Sequence, residues 1–196
     1  MAIGTCEYGD LGIKPYAQAT GSNVSSIEFP VFTGDQSGIT MVTGRVVPAT
    51  DAQRLLFRPL AGTSGYTTRY GQYVAYSTRS TSWFYTNSSA YGLYATRTQL
   101  GNGSSEGCAF TMYFKGFTRF DGEMPNYPPD TTGAAYGDMM FWIKSWSEDS
   151  NGDYFSDTSG GRFFQMSKDR DTRVRMYFGS GNIASYTYKC HNLMGN

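Results

Sequence analysis

Cys108-Ala109-Phe110-Thr111-Met112-Tyr113-Phe114-Lys115-Gly116-Phe117 is the stretch that decides the fold class. Phe110, Met112 and Phe114 fall on one side of a two-residue alternation, and Thr111, Tyr113 and Lys115 fall on the other. Successive side chains of a strand point to opposite faces, so the pattern predicts a strand with one face on a core and one on water. TRVRMYF (172–178) repeats it, with Val174, Met176 and Phe178 opposed to Arg173, Arg175 and Tyr177.

Working outward, the same reading recurs. SSIEFPVF (25–32) is a β-branched and aromatic run closed by the turn signal TGDQSG, and ITMVTGRVV (39–47) ends at Pro48. PATDAQ reads as a turn and RLLFRPL (54–60) as a short strand. In YTTRYGQYVAYSTR (66–79) the tyrosines fall out of period-2 register, which predicts a bulge near Gly71. SWFYT (82–86), AYGLYATR (90–97), GRFFQMS (161–167) and NIASYTYKCHNLM (182–194) are further strands. DMMFWIKSW (138–146) is almost continuously apolar, as expected of a central strand. Residues 119–137, rich in Gly, Pro and Asp, form a long loop of the kind that serves function or an interface. No segment reads convincingly as a helix; the best candidate, ATDAQRLLF, has a tail better suited to a strand. About ten short strands with Gly, Asn, Asp and Ser turns predict an all-β, jelly-roll-like antiparallel β-sandwich over residues 26–196.

Residues 1–25 differ. Glycines and Pro15 punctuate them, and Ile3, Tyr8, Leu11, Ile13 and Tyr16 are isolated apolar anchors without period. So many large apolar residues suit an extended N-terminal arm that orders against a neighbour, making these five the candidate assembly contacts.

Composition narrows the function. Sixteen basic and sixteen acidic residues cancel, which argues against nucleic acid as a partner. Charged residues are only 16% of the chain, while aromatics, chiefly Tyr, are another 16%. An uncharged-polar, tyrosine-rich surface suits contact with other molecules. Cys6, Cys108 and Cys190 are too few, and odd in number, for a disulfide framework, so free thiols in a reducing cytosol are expected. The first residues lack the basic and apolar regions of a signal peptide, and no apolar run approaches the ~18 residues of a membrane span.

Candidate chemistry is sparse. His191 is the one histidine, and its neighbour Cys190 should point to the opposite face, so no nucleophile–base pair is expected. Asp51, Glu106, Asp121, Glu123, Asp138, Glu148 and Asp149 could supply a glycosidase pair, but nearly all sit in turns that want Asp for turn chemistry. Asp149-Ser150-Asn151-Gly152-Asp153 superficially resembles a calcium loop. The EF-hand positions for Gly and Glu hold Tyr154 and Gly160, which leaves an Asx-rich turn as the better reading. No phosphate-cradling glycine motif is present. No catalytic residue, metal or cofactor is therefore expected. Tyr127, Tyr136, Trp146 and Tyr154, in loops or at their edges, are candidates for surface contact or for stacking on a sugar.

Two stretches carry a resemblance. VTGRVVPATDAQRLLFRPL (42–60) resembles the strand–turn–strand of phage tail-fibre and decoration-type proteins. TRVRMYFGSGNIASYTYKCHNLMGN (172–196) resembles their closing hairpin, with Gly179-Ser180-Gly181-Asn182 as the turn and Ile183 opening the last strand. The ending Cys-His-Asn-Leu-Met departs from the usual tyrosine-bearing terminus. The resemblance covers about 45 residues. It implies a non-enzymatic bacteriophage virion structural protein, a jelly-roll and a homotrimer, assembled in the host cytoplasm and with no membrane partner. The short arm and the lack of a fibre shaft point to a capsid decoration or cement protein that binds the major capsid protein and stabilises the capsid. The alternative is a tail-associated or fibre-tip module recognising a cell-surface glycan, and a carbohydrate-active enzyme is a third reading.

Overall fold

The structure is a computed structural model and describes residues 15–31, 39–61, 65–66, 70–77, 80–86, 93–96, 99–118, 137–166 and 173–193. Among these there is no helix, and the chain is an all-β, jelly-roll-like sandwich. In order the strands are β1 (Ala17–Val24), β2 (Ile27–Pro30), β3 (Thr40–Pro48), β4 (Leu55–Ala61), β5 (Gly65–Tyr66), β6 (Tyr70–Ser77) and β7 (Ser80–Thr86). They continue with β8 (Leu93–Tyr94), β9 (Gly107–Thr118), β10 (Gly137–Glu148), β11 (Tyr154–Met166), β12 (Arg173–Phe178) and β13 (Ile183–Asn192). An eight-stranded sheet runs β1-β13-β3-β9-β10-β11-β6-β7, and a five-stranded sheet runs β2-β12-β4-β5 with β8 also on β4. Every pairing is antiparallel.

The core lies between the sheets. β9 contributes Phe110, Met112 and Phe114, and β12 contributes Val174, Met176 and Phe178, all buried as their alternation predicts. Phe29 on β2 meets Phe114 and Tyr188 of the large sheet at ring-centroid distances of 6.4 and 5.7 Å. Phe57 on β4 meets Phe141 edge-on at 5.1 Å. These rings carry the apolar area that holds the layers together.

Ala17–Val24 falls within the expected arm, yet it forms the edge strand of the large sheet. It pairs with β13 from Ala17 opposite Cys190 to Val24 opposite Ile183. Tyr16, just before it, donates its hydroxyl to the Pro30 carbonyl at 2.8 Å and its backbone N–H to the Cys190 carbonyl at 2.9 Å. Ile3, Tyr8, Leu11 and Ile13 lie outside the described residues.

The two stretches that carry the phage resemblance are neighbours. β3 pairs with β13 in one sheet, and β4 pairs with β12 in the other. The crossing turns between the sheets lie side by side. Ala49 N–H donates to the Asn182 carbonyl, and the Ser180 N–H and hydroxyl both donate to Gln53 Oε1. Gly181 has φ +74°, and a Cβ there would meet Thr50 Oγ1 at 2.7 Å, so this turn needs glycine on both counts. The bulge expected near Gly71 is present: Gly71 and Gln72 of β6 together oppose Arg162 of β11.

Candidate functional site

Strand β10 is central, as its apolar run suggests, but only one of its faces is covered. Phe141 and Ile143 point into the core, while Met140, Trp142, Lys144 and Trp146 point outward. The outer face exposes Trp142 at 59%, Met140 at 51%, Trp146 at 45% and Tyr113 at 38%, with Tyr154 at 80% where β11 begins. The cross-strand partners explain the exposure. Trp142 stands between Tyr113 and Gly160, and Trp146 stands between Ala109 and Ser156. Glycine, alanine and serine are too small to cover an indole ring.

Between the row of Trp142 and Tyr113 and the row of Trp146 runs a polar lane across the strands. Reading the register from β1 to β11, it holds Gln18, Lys189, Thr43, Thr111, Lys144 and Thr158. Each row lies about 7 Å from the lane, two residues along a strand. Lys144 Nζ sits over the Trp146 ring, 5.1 Å from its centroid. The face therefore offers flat apolar rings for stacking, with hydroxyl, amide and ammonium donors between them.

The outer face of the small sheet is built differently, because two of its cations are paired with a carboxylate. Glu28 accepts from Arg173 at 2.9 Å and also binds Arg175. Arg58 lies over the Tyr177 ring and Arg54 over the Tyr94 ring.

Of the aromatic candidates named from sequence, Trp146 and Tyr154 are brought onto one face, as strand residues rather than loop residues. Tyr127 and Tyr136 lie outside the described residues. Sequence reasoning missed Trp142, Met140, Tyr113 and Lys144. The available signal was Lys144, which shares period-2 phase with Trp142 and Trp146 and so marks that face as wet.

The candidate carboxylates hold turns. Asp51 accepts from the Asn102 N–H at 2.9 Å, and Glu106 accepts from the Gly103 N–H. Asp149 Oδ1 accepts from the Asn151 and Asp153 N–H groups at 2.9 and 3.1 Å, the Asx turn expected there. Asp121 and Glu123 lie outside the described residues, and Asp138 falls within β10. His191 and Cys190 are both buried and project to opposite faces of the sheet. Among the described residues, no three His, Cys, Asp or Glu side chains cluster to hold a metal ion. No described helix is long and apolar enough to cross a membrane.

Cys108 and Cys190 are buried free thiols. Burial pushes the Cys190 pKa up to about 12. Burial raises that of Cys108 further, and the nearby Asp157 carboxylate adds to it. Both are thus expected to resist alkylation at pH 8 in the native protein and to react only after denaturation; rapid labelling of either in the folded state would contradict this. The unfolded chain releases these protons near 9.0 and the folded chain only well above it. Their contribution to stability is therefore full below pH 9 and falls as pH rises beyond it.

No family model matches the chain, and no curated protein sequence matches it. A solved structure with some likeness is that of a legume lectin-like domain from Entamoeba histolytica, 7% identical, covering 91% of this chain and 84% of that one, with a TM-score of 0.23. A likeness at that level carries no argument about fold or ligand.

Proposed function

We propose that this chain is a non-enzymatic structural protein of a bacteriophage particle and that the tryptophan face of its large sheet recognises a cell-surface glycan. The exposed pair Trp142 and Trp146, flanking a lane of Lys and Thr, carries the reading. Tryptophan and methionine alone would suit a protein interface equally well, but lysine is depleted in protein–protein interface cores. A lane of hydroxyls and ammonium groups between stacking rings suits a ligand with apolar ring faces and many hydroxyls, which describes a polysaccharide. The test is a panel of bacterial surface polysaccharides immobilised and titrated with the purified protein. Saturable binding to a subset is expected; no binding to any member would refute the reading.

Attachment to a capsid as a decoration protein is the second reading. It rests on the resemblance of residues 42–60 and 172–196 to decoration-type proteins. In this reading the segment that precedes β1 reaches onto the major capsid protein, and the sandwiches associate as a trimer. The deletion that tests it must stop before β1, because removing residues 1–25 would strip β13 of its edge partner. A variant lacking residues 1–14 should melt like the full chain and fail to attach to particles. Undiminished attachment would rule out the arm as the contact.

A further inference from the structure

We infer that the glycan taken by the tryptophan face is acidic, its carboxylates or other anionic groups seated along the Lys189–Lys144 lane; this rests on the glycan reading above. The chain as a whole is neutral, with sixteen charges of each sign. The described outer face of the large sheet is not. It carries Arg45, Lys115, Lys144 and Lys189, while the carboxylate positions of that phase, Asp138 and Glu148, stand at the two ends of β10, away from the lane. The cross-strand neighbours of Lys144 are Thr111 and Thr158, and that of Lys189 on β3 is Thr43, so hydroxyls rather than carboxylates flank both ammonium groups.

The placement fits a chain of anionic sugars. Lys144 lies between Trp142 and Trp146 along β10, so a ring stacked on either indole brings its substituents within reach of the ammonium group. Lys189 lies three strands away in the same lane, about 14 Å from Lys144 by the interstrand spacing. A polysaccharide laid across the strands therefore meets a cation at two points, with threonine hydroxyls between them. Arg45 is less available, because its guanidinium donates to the carbonyls of Ser104, Ser105 and Glu106. The charge-assisted hydrogen bonds of Lys144 and Lys189 are the interactions that select an anion.

The experiment uses the full chain and the same polysaccharide panel, with neutral and uronic-acid-containing members, at about 50 and 300 mM salt. Each retained polysaccharide is compared with its carboxyl-reduced form, in which uronic acids become the neutral sugars. Acidic members should be retained. Carboxyl reduction or Lys144→Gln should each weaken binding about tenfold, the low end for a hydrogen bond to a charged group, and high salt should weaken it further. Retention of neutral members with no effect of salt or of Lys144→Gln would overturn the inference and leave the glycan reading standing. Retention of no member would overturn both. Lys144→Gln should melt as the wild type does, since the side chain is exposed.

Discussion

Replacing Trp142 and Trp146 together by Ala is expected to abolish polysaccharide binding while leaving the fold intact. A fully covered Trp removes about 150–250 Å² from water. These two rings are already half covered by the sheet, so a ligand would bury roughly 80 Å² on each. At about 25 cal/mol per Å² this is worth about 2 kcal/mol per ring, or some thirtyfold in affinity. Losing both should weaken binding by roughly a thousandfold, beyond detection for a ligand of ordinary micromolar affinity. The stability cost should be small, because neither ring is in the core. The lost contacts are strand propensity and the Lys144–Trp146 cation–π pair, each within about 1 kcal/mol. Isothermal titration and a thermal melt on the same preparation check both halves. A double variant that binds as the wild type does would show that the ligand lies elsewhere.

Phe110→Ala should do the reverse and unfold the protein more readily. Phe110 is buried on the inner face of β9, one residue from Ala109, which stands beside Trp146 on the outer face. Its ring lies against Gly44, where an added Cβ would come within 2.7 Å of the Phe110 Cζ. The cavity left by removing the ring would be walled by β-sheet backbone held in register by the β3–β9 and β9–β10 ladders, which cannot collapse into it. Phe→Ala changes at such sites cost about 3–5 kcal/mol, a large share of a typical domain stability of roughly 5–15 kcal/mol. Urea denaturation should show a free energy of unfolding lowered by that amount, seen as an earlier midpoint with an unchanged slope. A loss under about 1 kcal/mol would mean that Phe110 is not the core residue its burial makes it.

The contrast between those residues shows what the sequence made legible. Alternation in 108–117 and 172–178 identified strands and their buried faces, because a two-residue period is a local consequence of backbone geometry. The bulge near Gly71 was legible for the same reason. β1 was not: AQATGSNV has no large apolar residue except Val24, and an edge strand exposed on one side asks for none. In β10 the inward Phe141 and Ile143 and the outward Trp142 made one continuous apolar run, so its solvent face read as core. The site was obscured further because its lane is assembled from β1, β13, β3, β9, β10 and β11, segments far apart in sequence. Strand order is fixed by non-local pairing, which no single segment encodes.

The most direct test of the central claim is the indole N–H spectrum during titration with a retained polysaccharide. The chain has three tryptophans, Trp83, Trp142 and Trp146, so three indole signals are expected, assigned by single substitutions. The Trp142 and Trp146 signals should shift together and saturate with the binding isotherm. Saturable binding that leaves both signals unmoved would contradict that claim.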